Sequence, residues 1–198
     1  MKLHHLKLQN KKKSDKARQT WKRKMARKER KVGVALPDRR VLEGKMHEML
    51  RGPAEPLTPL HRAQELIYQA FDDDDPEKRC QLAQQALALS PDCADAYVLL
   101  AEHAHSRTEA LDLYAKGVEA GERALGAEKF AMNAGHFWGI LETRPYMRAR
   151  AGLARLLWTS GQRQEAVGHL QDMLRLNPND KVAKNVFRSV KLMRGTPQ

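Results

Sequence analysis

Two near-copies of one short string, far apart in the chain, constrain it more than any other feature. One is Ala86-Leu87-Ala88-Leu89-Ser90-Pro91-Asp92 and the other is Met173-Leu174-Arg175-Leu176-Asn177-Pro178-Asn179. Each closes an amphipathic stretch on a proline, whose ring and missing N–H keep the helix from continuing. A helical unit that recurs along a chain cannot bury its apolar stripe alone, and does so by stacking on its neighbours. The copies therefore predict stacked helices, an architecture that usually binds rather than catalyses.

Around the second copy, Ala166, Leu170, Met173 and Leu174 stand at offsets of zero, four, seven and eight, on one helix face. The same offsets hold Ala110, Tyr114, Gly117 and Val118, and again Arg79, Ala83, Ala86 and Leu87, where Arg79 breaks the pattern. Each set follows another stripe: Leu153, Ala154 and Leu157; Leu100 and Ala101; Leu66, Ile67 and Ala70. Ala154 precedes Ala166 by twelve residues and Ile67 precedes Arg79 by twelve, whereas Ala101 precedes Ala110 by nine. Short side chains at matched places let two antiparallel helices approach while larger neighbours interlock around the contact.

The spacing is uneven. Arg79 to Ala110 is 31 residues, but Ala110 to Ala166 is 56. The excess, between Glu119 and Glu142, contains Phe130, Ala134, Phe137, Trp138 and Leu141, a stripe that predicts one inserted helix. Val182, Val186, Phe187, Val190 and Met193 predict a last helix that caps the stack. No stretch alternates with period two, so no sheet is expected. Asp75, Asp92 and Thr143 are placed as N-caps, the first ahead of Pro76 and the last ahead of Arg144-Pro145. Gly161 stands where a helix would end left-handed.

The set Leu153-Ala154 … Gly161 … Glu165-Ala166 … Leu170 … Asn177-Pro178 resembles the tetratricopeptide repeat, with Leu157 in the slot usually held by an aromatic. Two longer strings carry a further resemblance. They are Leu89-Ser90-Pro91-Asp92-Cys93-Ala94-Asp95-Ala96-Tyr97-Val98-Leu99-Leu100-Ala101-Glu102, and the run from Gly135-His136-Phe137-Trp138-Gly139 through Leu141-Glu142-Thr143-Arg144-Pro145-Tyr146-Met147-Arg148 to Arg150. They resemble a family of bacterial tetratricopeptide proteins similar to the suppressor-of-tumorigenicity proteins, over about residues 60–180. The resemblance implies an all-α, tetratricopeptide-like α-solenoid of about three helix pairs, with one inserted helix and a C-terminal capping helix. It implies a protein–protein interaction scaffold that binds a protein or peptide on its concave side, made mainly by the first helix of each pair. It brings no established chemistry.

Charge divides the chain. Residues 1–31 hold fourteen Lys or Arg against Asp15 and Glu29, which accounts for the whole net charge of +12. From residue 32 onward 22 basic and 22 acidic side chains cancel. Residues 1–33 thus read as a basic arm, disordered on its own. Residues 34–59 read as a short helix (Val41, Leu42, Met46, Met49, Leu50) and a linker with Pro53, Pro56 and Pro59. Residues 60–198 read as the repeat domain.

Two functional surfaces are candidates. Arg144 and Arg148, with Arg155 on the same helix face and Arg150 off it, can grip a partner carboxylate by forked hydrogen bonds, beside Tyr146 and Trp138. The bland alternative is a solvated helix face with ordinary ion pairs. In the arm, Lys11, Lys12, Lys13, Lys16, Arg18, Lys22, Arg23 and Lys24 can displace counterions from a phosphate backbone while Trp21 stacks on an unpaired base. A nucleic acid or the ribosome is the alternative partner on that side; an anionic membrane surface, an acidic protein or a purely solubilising tail reads the same. Gly135 and Gly139, four apart, would each cost a helix about 1 kcal/mol and so predict close packing there, or a ligand against the helix.

Other features exclude function classes. His103 and His105 have the wrong spacing for a shared metal on a helix, and Asp72 to Asp75 lacks the glycine and distal glutamate of a calcium loop. Cys80 and Cys93 make neither a disulfide framework nor a metal site. No nucleophile–base set or phosphate-binding loop occurs, so neither an enzyme nor a cofactor is expected. The longest apolar run, Tyr97 to Ala101, is five residues against the roughly twenty of a membrane span, and a cytoplasmic setting follows.

Overall fold

The computed structural model describes residues 38–50, 57–181 and 183–185, and every regular element among them is helical. Helix α1 is Arg39–Leu50, α2 Pro59–Asp72, α3 Pro76–Leu89, α4 Ala94–Glu102, α5 Arg107–Asn133, α6 Arg144–Thr159 and α7 Arg163–Leu176. Their starts follow from local chemistry. Thr58 Oγ1 accepts from His61 N (3.2 Å) ahead of Pro59, Asp75 Oδ1 accepts from Glu77 N (2.9 Å) ahead of Pro76, and Ser106 Oγ accepts from Glu109 N (3.1 Å). The stop at Gly161 is also local. Its φ is +85°, Gln162 N donates to Leu157 O (3.0 Å) and Gly161 N to Trp158 O (3.2 Å), the paired closure of a left-handed C-cap.

Each helix packs on its successor, and α4 also packs on α6. Small residues sit at the close contacts, as the offsets require. Ala83, Ala86, Ala154 and Ala166 are fully buried, while Ala110 is half-buried. Gly117 faces Ala149 and Gly121 faces Tyr146, where an added Cβ would stand 3.1 Å and 2.9 Å from the neighbouring side chain. Two apolar cores result. One gathers Ile67, Phe71, Ala83 and Leu99; the other gathers Tyr114, Phe137, Tyr146, Met147, Leu153 and Leu170.

Several expectations need correction. The inserted helix does not form as one element. Helix α5 bends at Gly126 (φ +65°) and ends at Asn133, the chain turns at Gly135 (φ +95°), and Phe137–Gly139 and Leu141–Thr143 are short 3-10 turns. Phe130 and Phe137 still meet, with ring centroids 5.2 Å apart, but across a turn rather than along a helix. Gly135 and Gly139 therefore sit outside any α-helix, and neither has a neighbour within contact of an added Cβ. Asp92 does not cap; it pairs with Arg123 (2.7 Å), and Cys93 takes the capping position without a side-chain bond. The Thr143 hydroxyl points back, donating to the carbonyls of Phe137 and Ile140. Helix α1 lies in the same compact unit as α2 to α7, a unit that begins at Asp38. Of the expected capping helix, Lys181 and Ala183 to Asn185 are helical and Ala183 is buried; its other residues lie outside the described ones.

Candidate interaction surface

Asp95 is the centre of the site. It occupies the first turn of α4, where free amides and the helix dipole favour a carboxylate, and it is 0 % exposed. Arg148, one turn into α6, grips it with a fork: Nε donates to Oδ1 (2.8 Å) and Nη2 to Oδ2 (2.5 Å). Gln64 Nε2 on α2 donates to Oδ2 as well (3.0 Å), and its Oε1 accepts from the Cys93 thiol (3.8 Å). Arg148 has one arm left, and Nη1 donates to Glu43 Oε2 on α1 (2.6 Å). The other Glu43 oxygen pairs with Arg144 Nη1 (3.1 Å), and Arg144 Nε donates to the Trp138 carbonyl (2.9 Å). Two guanidinium and two carboxylate groups thus balance in one seam.

The seam shifts the groups around it. Burial pulls the Arg148 pKa down, but Asp95 and Glu43 together outweigh it and hold the guanidinium firmly charged. Burial, helped by the Asp95 charge, raises the Tyr68 phenol above its ordinary range. The same two causes push the Cys93 thiol up to about 12, so it stays a thiol.

The seam has a sequence register. Asp95 stands six residues before Ala101 and Arg148 six before Ala154, so both occupy the same slot relative to the small residue of α4 and of α6. His61 holds that slot in α2, six before Ile67. The slot just after the small residue holds Tyr68, Glu102 and Arg155. Helix α1 lies across residues of both slots. Arg40 Nη1 donates to Glu102 Oε1 (3.0 Å) and its guanidinium covers the Phe71 ring at 4.1 Å. Gly44 rests on the Tyr68 ring, and the His47 ring is 5.7 Å from that of His61. Beside them a cavity of about 90 Å³ is lined by His47, Gln64, Tyr68, Leu125 and Tyr146.

The four residues expected to face a partner take different places. Arg144 and Arg148 are half-buried and already paired within the chain. Tyr146 is a core residue, 2 % exposed, packed edge-on to Phe130 at 5.1 Å. Trp138 is half-buried and its Nε1 donates to Asp180 Oδ2 (2.5 Å). Arg155 is exposed, and Arg150 pairs with Asp172 on α7 (3.0 Å). Lys11 to Lys24 and Trp21 lie outside the described residues. Glu43, Gln64 and Asp95 belong to the site without any expectation from the sequence. The shared slot of Asp95 and Arg148, with opposite charges, was the available signal; nothing local marks Glu43, 105 residues from Arg148.

Among the described residues no group of three His, Cys, Asp or Glu side chains is placed to hold a metal ion. The His103 ring nitrogen instead meets the Leu99 carbonyl at 2.9 Å, and Asp73 pairs with Lys78 (2.5 Å) beside the Asp75 cap. No described helix is long and apolar enough to cross a membrane.

These features define an all-helical protein of consecutively packed helices with a buried charged seam between three of them. The family model described as ST7 protein matches residues 57–183, a span that contains α2 to α7, and the chain belongs to that family. The match agrees with the suppressor-of-tumorigenicity resemblance of the two long strings. No curated protein and no solved structure matches the chain.

Proposed function

We propose that this protein is an interaction scaffold, a tetratricopeptide-like curved stack in which α2, α4 and α6 are the first helices of three pairs and line the concave side. The observation that supports it most is the shared register. His61, Asp95 and Arg148 hold one slot, Tyr68, Glu102 and Arg155 another, and a further helix of the chain rests across residues of both. A surface that already seats one helix has the shape and charge to seat a helix or peptide from a partner. The scaffold works without a cofactor, catalyses no reaction and acts in the cytoplasm. A photo-crosslinking side chain at Arg155, on the lined face, should trap a discrete partner, whereas one at the exposed Gln84 on α3 should not. Equal trapping at both positions overturns the assignment of the face.

A second function is favoured by the division of charge. With all +12 charges balanced out of the body and concentrated in residues 1–31, the arm suits a nucleic acid or ribosomal surface. Deleting residues 1–33 should then abolish capture, and binding should fall steeply between low and moderate salt. Capture that survives both leaves the scaffold alone.

A further inference from the structure

Resting on the scaffold reading, we propose that α1 is a resident ligand. Residues 38–50 fill, in cis, a docking site for short helices that carry a base, an apolar residue and an acid followed by glycine, and a partner helix of that pattern displaces them.

The hold on α1 is mostly charge. Val41 is its one buried side chain, against five in α2: Ala63, Gln64, Ile67, Ala70 and Phe71. Leu42, Met46, Met49 and Leu50 are exposed, Met49 at 84 %. A helix of 12 residues is marginal in water by itself, so α1 owes its shape to what it rests on. Three ion pairs fasten it there: Arg40 to Glu102, and Glu43 to both Arg144 and Arg148.

The face under α1 is selective before α1 arrives. Arg144, Arg148 and Asp95 sum to one positive charge, which calls for one acid; Glu102, farther along, calls for a base, and Arg79 approaches it only to 4.0 Å. Base and acid must stand three residues apart on the ligand, as Arg40 and Glu43 do. The apolar residue between them must reach the Ile67 and Phe71 core, as Val41 does. The residue after the acid must be glycine, because a Cβ at Gly44 would lie 2.8 Å from Tyr68 Cγ. The occupant is therefore recognised by Arg40-Val41-x-Glu43-Gly44, and a partner must reproduce that chemistry. The ST7 family match begins at residue 57, past the end of α1, so the ligand sits outside the segment that builds its site.

The probe is a fluorescein-labelled peptide with the sequence of residues 37–52. The protein is the full chain, folded, with a protease site placed within residues 51–56. Intact protein should bind the probe at least tenfold more weakly than the cut protein after the released piece is diluted away. A Gly44→Leu variant of the uncut chain should also gain at least tenfold. A probe carrying Glu43→Gln should lose tenfold or more on the cut protein. If the cut piece never exchanges and Gly44→Leu gains nothing, α1 is a permanent part of the core and the idea falls. It falls too if the Glu43→Gln probe binds unchanged, or if the wild-type chain proves to be a dimer that swaps α1. Failure of the probe with crosslinking at Arg155 intact removes the resident ligand and leaves the scaffold standing.

Discussion

Helix α6 is buried on two sides by opposite means. Toward α5 it uses volume: Gly152 admits the Tyr114 ring, Ala149 meets Gly117, and Tyr146 sits against Gly121 within a cluster that includes Phe130 and Phe137. Toward α4 and α1 it uses charge, through the Arg148 fork on Asp95 and the shared Glu43. A close-packed side punishes added atoms, because interiors are nearly as dense as organic crystals. A buried ion pair adds little net stability, yet removing one member strands the other in a medium that cannot solvate it. The apolar side therefore holds α6 in place, and the charged side dictates which face of α4 and which end of α1 it meets.

The charged side is most sensitive at Asp95. Asp95→Ala should lose about 3–5 kcal/mol in urea unfolding, because Arg148 is left charged and unpaired on that side. Adding Arg148→Met should restore much of the loss. A loss under 1 kcal/mol would mean the seam is solvated and idle. Next comes the apolar side. Gly152→Ala places a methyl inside the Tyr114 ring and should cost about 2–3 kcal/mol, with Tyr114→Leu recovering part of it.

Alkaline titration separates the two sides further. The folded Cys93 thiol has its pKa raised from 9.0 to about 12, so the folded state holds its proton more tightly than the unfolded chain. That contribution is complete below pH 9.0 and disappears as pH rises toward about 12. Stability should fall by about 2 kcal/mol by roughly pH 10.5, and Cys93→Ala should flatten this part of the curve. Tyr146, on the apolar side, is raised from 10.0 to about 12 chiefly by burial and should join only above pH 10.0. The smallest effect has the opposite sign. Gly168, exposed within α7 with open space where a Cβ would stand, should gain about 0.5–1 kcal/mol as Gly168→Ala. A loss there would show that glycine tolerance in this fold is not set by the neighbours seen around it.

Much of the architecture was legible because its causes are local. Asp75 caps two residues ahead of itself, Gly161 turns at its own φ, and a stripe at helical offsets predicts burial at Ala83, Ala86, Ala154 and Ala166, whereas Asp92 and Thr143 are drawn off their expected caps by Arg123 and by the carbonyls of Phe137 and Ile140. The stripe from Phe130 to Leu141 does not form one helix, because Gly135 adopts a left-handed φ of +95° and turns the chain between Phe130 and Phe137. Of the site, Arg144 and Arg148 were visible as a cluster. Their acidic partners were not, because Glu43 and Asp95 meet them across more than fifty residues. Tyr146 and Trp138 looked equally available and proved to be a core ring and a tether to Asp180.

The chain alone dictated the start at Asp75, the stop at Gly161, the buried alanines of α3, α6 and α7 and where the charge collects, since those depend on neighbours a few residues away and on simple counting. Tertiary structure decided which charges cancel one another and that α1 rests on residues of α2, α4 and α6. Such pairings depend on distances in space that no spacing along the chain encodes.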